Sequence, residues 1–156
     1  MQINNYDAIF KEQIMIKKKS TPANIRKIDE LNTAIVCNDF NAIHEILITN
    51  LDVNVPDSHG VFPVMYAVQY GNANALISLI RHGANINVID KRNGYSLLMK
   101  ALGKQKIPNQ YLIIVLLLKN GADVNIIGHD SKTALYLAKL YHIKYIELLK
   151  RYGAKY

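Results

Sequence analysis

The sequence has no tryptophan and one cysteine, Cys37, among 156 residues. A lone cysteine excludes an internal disulfide, and no Cys/His cluster has the spacing of zinc ligands, a combination that suits a reducing compartment. Long apolar runs are missing as well. Leu112 to Leu118, the most apolar stretch, is seven residues long. At about 1.5 Å per residue it falls far short of a hydrocarbon layer of roughly 30 Å. The opening Met-Gln-Ile-Asn-Asn-Tyr-Asp lacks the basic and then apolar regions of a secretory signal. A soluble, single-domain chain acting in a cytoplasm is therefore expected. Neither Gly-x-Gly-x-x-Gly nor a phosphate-loop motif occurs, so no nucleotide cofactor is expected.

Positive charge is missing from one long stretch. Residues 31 to 80 contain no Lys or Arg and carry Asp39, Glu45, Asp52 and Asp57, although the formal net charge is +7. Residues 81 to 106 then hold Arg81, Lys91, Arg92, Lys100, Lys104 and Lys106 against Asp90, and Lys132, Lys139, Lys144, Lys150, Arg151 and Lys155 face only Glu147 near the end. A folded rod would be acidic near its start and basic further on. Such segregation fits an acidic partner, and it also fits an ordinary solvated surface.

What is present is an internal repeat. Ala34, Ala67, Ala101 and Ala138 stand at equivalent places, separated by 33, 34 and 37 residues. Each is followed by a second pattern, seen in Leu79-Ile80-Arg81-His82-Gly83-Ala84-Asn85-Ile86-Asn87 and in Leu117-Leu118-Lys119-Asn120-Gly121-Ala122-Asp123-Val124-Asn125. Small alanines let neighbouring helices approach, while Ile43/Ile46/Leu47 and Leu76/Leu79/Ile80 have the spacing of one apolar helix face. One such unit cannot bury that face alone; stacking does so. Gly83, Gly121 and Gly153 directly follow helical patterns, where a left-handed residue ends a helix without steric cost, and Asn50 fills the place in the first unit.

These two half-patterns, four times over, resemble the ankyrin repeat, with its Gly-x-Thr-Pro-Leu-His-x-Ala start and Leu-Leu-x-x-Gly-Ala-Asp-Val-Asn finish. The resemblance covers about residues 25 to 155 and implies an all-α solenoid of about four helix-turn-helix units joined by β-hairpin-like loops. The units fall at residues 29–60, 61–94, 95–132 and 133–156, the last a C-terminal cap. Residues 1–28 form an N-terminal helical cap on this reading, from the spacing of Ile3, Tyr6, Ile9, Phe10 and Ile14 and from Thr21-Pro22 as a helix start. Only Pro63 keeps the family's proline. Ser131 stands where Gly60 and Gly94 stand, which predicts a distorted last hairpin. Between Ala101 and Gly121 there are four extra residues, around Gly103 to Asn109, which predict a longer turn.

Catalysis finds no footing. His59 and His129 fall on hairpin tips two units apart, too far for shared ligation at roughly 10 Å per layer of packed helices. His82 sits at a helix C-terminus and His142 in a helix-helix turn, both structural places. Cys37 and His44 have no third group to orient them, and Cys37 reads as a small, partly buried residue. Tyr66, Tyr136 and Tyr145 fall inside helical patterns and read as structural.

The resemblance implies a non-catalytic protein-binding module, an adaptor or an effector delivered into a host cell, acting as a monomer. Partners of such repeats lie along hairpin tips and exposed inner-helix positions. On this chain those are Ser58, His59, Val61, Gln69 and Tyr70; Lys91, Arg92, Tyr95 and Lys104; and His129, Asp130, Lys132 and Tyr141. Their basic members point to an acidic partner segment. Nucleic acid, bound through the basic blocks and tyrosines, is the alternative, but residues 31 to 80 would repel a phosphate backbone.

Overall fold

A computed structural model describes residues 21–155. Its first helix starts as Thr21-Pro22 predicts. The Thr21 hydroxyl accepts the Asn24 N–H at 3.3 Å and Pro22 takes the first helical position, where its missing N–H costs nothing. This helix, α1 (Pro22–Cys37), runs unbroken through residues 28 and 29 and ends at Asn38 in the left-handed region, φ 56°. The segment carrying Ile3 to Ile14 lies outside the described residues. Asp39 caps the next helix, α2 (Phe40–Leu47), by accepting the Ala42 N–H at 3.0 Å.

The pairs that follow are α3 (Pro63–Gln69) with α4 (Ala73–Arg81), α5 (Leu97–Ala101) with α6 (Gln110–Lys119), and α7 (Ala134–Tyr141) with α8 (Ile146–Arg151). A single 3-10 turn, Ile143–Tyr145, leads into α8. Inner helices α1, α3, α5 and α7 stack in order, and α2, α4 and α6 stack behind them. The chain is therefore an all-α helix-turn-helix solenoid. Ala67, Ala101 and Ala138 are fully buried, in one core with Leu31, Leu76, Leu79, Leu97 and Leu117.

The loops between pairs carry the hairpins. Only the one between α4 and α5 forms a ladder among the described residues: β1 (Ile89–Asp90) pairs antiparallel with β2 (Tyr95–Ser96), Ile89 opposite Ser96. The last hairpin is not distorted, contrary to the expectation from Ser131. Ser131 adopts φ 62°, beside φ 77° at Gly60, and the Gly128 N–H donates to the Lys132 carbonyl at 2.9 Å as Asp57 N–H does to Val61. A single non-glycine residue in the left-handed region costs only about 1–2 kcal/mol, so the turn survives.

One asparagine per unit ties each loop to the next. Asn54 Nδ2 donates to the Gly83 carbonyl (2.9 Å) while its Oδ1 accepts the Asn85 N–H (2.7 Å). Asn87 repeats this on Gly121 and Asp123, and Asn125 on Gly153 and Lys155. Each side chain thus satisfies a carbonyl and an N–H of the loop that follows the next unit's second helix. Replacing Asn87 with alanine removes both bonds at the central junction, so we expect a loss of about 1–2 kcal/mol in urea unfolding. Because neighbour coupling sets cooperativity in a linear stack, the denaturant slope should also fall.

Two side chains are more open than their sequence pattern implies. Cys37 is exposed rather than partly buried, because α1 turns its last residue outward. Tyr136 is 50% exposed on α7, whereas Tyr145 is 2% exposed in the core.

Candidate partner-binding groove

The extra residues between Ala101 and Gly121 form the turn 102–109 joining α5 to α6, and they fold toward the hairpin and the end of α3. Together these elements enclose a groove of about 690 Å³ lined by Gln69, Arg92, Tyr95, Lys100, Lys104 and Ile107, among others, with Asp90 in its wall.

Asp90 organises that wall. It is 5% exposed at the end of β1, and its backbone carbonyl accepts the Gly94 N–H at 2.8 Å to close the hairpin. Its carboxylate accepts the Arg92 backbone N–H (3.0 Å), the Arg92 guanidinium through Nε (3.0 Å) and a terminal nitrogen (2.8 Å), and Lys100 Nζ from α5 (2.7 Å). The Arg92 guanidinium, with Lys100 behind it, holds the carboxyl well below the usual carboxylate range despite burial, and Arg92 is held more firmly protonated in turn. One carboxylate therefore faces three groove cations, Arg92, Lys100 and Lys104. Lys104 is exposed and has no ion pair among the described residues. The groove keeps a positive excess.

The second and third hairpins are locked to each other beside it. Tyr95 OH donates to Asp130 Oδ2 at 2.7 Å, Lys132 Nζ pairs with the same oxygen at 2.6 Å, and the His129 N–H donates to the Asn93 carbonyl at 2.9 Å. The Lys132 and Tyr95 hydrogen bonds bring Asp130 down to about 2, while burial and the bond to Asp130 push the Tyr95 phenol up.

The structure thus brings Gln69, Arg92, Tyr95 and Lys104 to one groove, with His129, Asp130 and Lys132 adjoining it through Tyr95. Ser58, His59 and Val61 stand at the first hairpin, around Asp57, beside a separate recess. Lys91 is exposed and outside the groove lining. Tyr70 stacks on Tyr66, ring centroids 6.4 Å apart, and faces Pro108 and Leu112. Tyr141 is 41% exposed at the end of α7, in edge contact with His142.

The sequence reading missed Lys100, Ile107 and the anchoring role of Asp90. A signal existed: Asp57 and Asp90 both open hairpins, where a carboxylate next to successive N–H groups is a strong local acceptor. His82 and His142 are structural, with Nδ1 of His82 2.8 Å from the Ser78 carbonyl and Nε2 of buried His142 2.9 Å from the Gly103 carbonyl. No helix of the described residues is long and apolar enough to cross a membrane.

A family model described as ankyrin repeats, in three copies, matches residues 31–127. The chain is 28% identical over 131 residues to an armadillo (Dasypus novemcinctus) protein, the ankyrin repeat, SAM and basic leucine zipper domain-containing protein 1, covering 83% of this chain and 27% of that protein. It is 30% identical over 131 residues to the transient receptor potential channel pyrexia of Drosophila melanogaster, covering 80% of this chain and 13% of the channel. It is 29% identical over 98 residues to the ankyrin repeat protein nuc-2 of Neurospora crassa, covering 62% of this chain and 9% of that protein. The chain thus spans about a quarter or less of the length of these relatives.

Proposed function

Since this chain belongs to the ankyrin-repeat family, whose repeats are generally non-catalytic protein-binding modules, we propose that it binds a partner protein by seating an acidic segment in the groove between its second and third units. The observation that carries this reading is the charge of the lining: three cations against a single carboxylate that is already committed to two of them. Ile107 and the Tyr95 ring, both part-exposed, supply apolar surface in the same groove, so a partner residue gains burial as well as charge. The hairpin tips at His129 and Lys132 extend the contact, and Tyr95 is held rigid by Asp130, which lowers the ordering cost of binding. We place this activity in a cytoplasm, that of the producing cell for an adaptor or of a host for a delivered effector, and with the chain as a monomer.

Nucleic acid is the weaker reading, because the neighbouring recess is lined by the carboxylates Asp29 of α1 and Asp57 of the first hairpin, and residues 31 to 80 contain no Lys or Arg. The test is fluorescence anisotropy of a labelled Glu-rich peptide with the full chain at low and high salt. Affinity should fall with salt, and Lys104→Glu should weaken it by on the order of tenfold. Binding indifferent to both changes would remove the groove from consideration. Tighter binding of a single-stranded oligonucleotide than of the peptide would shift support to nucleic acid.

A further inference from the structure

The first hairpin builds a second recess, of about 370 Å³, with the opposite electrical character. Its walls include Asp29, Asn32 and Thr33 from α1 and Asp57, Ser58 and His59 from the hairpin. Asp57 is 7% exposed and its acceptor capacity is used: Oδ1 accepts the His59 and Val61 N–H groups (2.9 and 2.8 Å), and Oδ2 accepts Tyr66 OH (2.7 Å) and Asn32 Nδ2 (3.2 Å). A carboxylate offers about four lone-pair sites, so Asp57 brings negative charge to the recess without a free acceptor.

Asn32 behaves differently. It is 5% exposed, and because an ionised carboxylate only accepts, its amide nitrogen must face Asp57. Its oxygen is then turned away, buried, and without a donor among the described residues. A buried acceptor left open costs about 1–3 kcal/mol and is rare in native proteins, so this atom marks a place where a donor belongs. Asp29 is nearly as open: its Oδ1 takes only a long 3.5 Å contact from the Ser58 N–H. Neither Lys nor Arg is among the described residues that line the recess.

We propose that this recess receives an arginine side chain of a partner protein, its guanidinium bonding to the Asp29 carboxylate and supplying the missing donor to Asn32 Oδ1, with Asp57 as the second counter-charge. A guanidinium fits better than an ammonium because its five N–H groups fan out in a plane and reach separate acceptors at once, whereas lysine presents a compact point charge. Neighbouring layers of the stack lie about 10 Å apart. The protein then reads a cation at its first hairpin and an anion in the groove of the following units. This site stands whether or not the groove binds an acidic segment.

The test is a titration of the 15N-labelled full chain with N-acetyl-arginine amide, N-acetyl-lysine amide and neutral N-acetyl-citrulline amide, followed by amide NMR shifts. The arginine probe should give saturable shifts at the Asn32 side-chain amide and the Ser58 and His59 N–H groups. It should bind more tightly than the lysine probe, and citrulline should not saturate. Asp29→Asn, which keeps the shape of the residue, should weaken the arginine probe by on the order of fivefold, and Lys104→Glu in the other groove should leave it unchanged. Absence of saturable shifts, equal response to citrulline, equal affinity for lysine, or indifference to Asp29→Asn would each overturn the assignment.

Discussion

Replacing Gly71 with alanine is expected to destabilise the protein by about 3 kcal/mol, read as a drop in the urea midpoint. Gly71 ends the turn between α3 and α4 with φ 66°, which costs an alanine about 1–2 kcal/mol by itself. It also lies directly under the long turn of the next unit. A Cβ built there would stand 2.2 Å from the Pro108 carbonyl oxygen, backbone that has no flexible end to swing aside. The turn would have to lift, and the 3.0 Å bond from Asn109 Nδ2 to the Gly71 carbonyl would go with it. Gly83 separates the two contributions. It has φ 78° but nothing within 4 Å of its Cβ position, so Gly83→Ala should cost only the conformational share, about 1–2 kcal/mol. Equal losses for the two variants would mean that the turn yields freely and is not anchored on Gly71. Since Lys104 and Ile107 are carried by that turn, Gly71→Ala should also weaken binding to the groove.

That contact shows where sequence reading stops. Several helix ends were legible because each rests on local rules: a proline at a first helical position, a left-handed residue after a helix. Asn50, Gly83, Gly121 and Gly153 indeed all have positive φ. The extra length around Gly103 to Asn109 was legible too, as a count. Its docking on Gly71 was not, because Asn109 and Gly71 are 38 residues apart and nothing in either neighbourhood specifies the other. The groove divides in the same way. Arg92, Tyr95 and Lys104 were found by placing variable residues on a repeat plan, but the charge they present depends on Asp90 capturing Arg92 and Lys100, which only the fold of hairpin against α5 decides. Counting lysines along the chain overstated the free positive charge. It also gave no sign that Asn32, an unremarkable polar residue in α1, would be buried with its oxygen unanswered.

Asp57→Ala should be the most damaging change at the first hairpin, at about 3 kcal/mol, because it leaves four donors from three places without their acceptor. Two are the His59 and Val61 N–H groups that shape the hairpin, one is Tyr66 OH from α3, and one is the Asn32 amide from α1. The carboxylate therefore joins the first unit to the second. Its ionisation should appear in the pH dependence of stability. Burial raises the carboxyl, but the Val61, Tyr66 and His59 bonds together outweigh it and hold Asp57 below its ordinary 3.8; Asp90 is lowered as well, chiefly by Arg92. A carboxyl lowered in the folded state binds its proton more weakly there than in the unfolded chain. The stability it confers is present above about pH 4 and is lost as pH falls through the folded value. The wild type should accordingly lose stability as pH drops below about 4, and Asp57→Ala, less stable at neutral pH, should lose less over the same interval. Urea titrations of both proteins from neutral pH downward would decide it: parallel acid profiles would mean that Asp57 binds protons alike in the folded and unfolded chains, and that its hydrogen bonds do not favour the charged form.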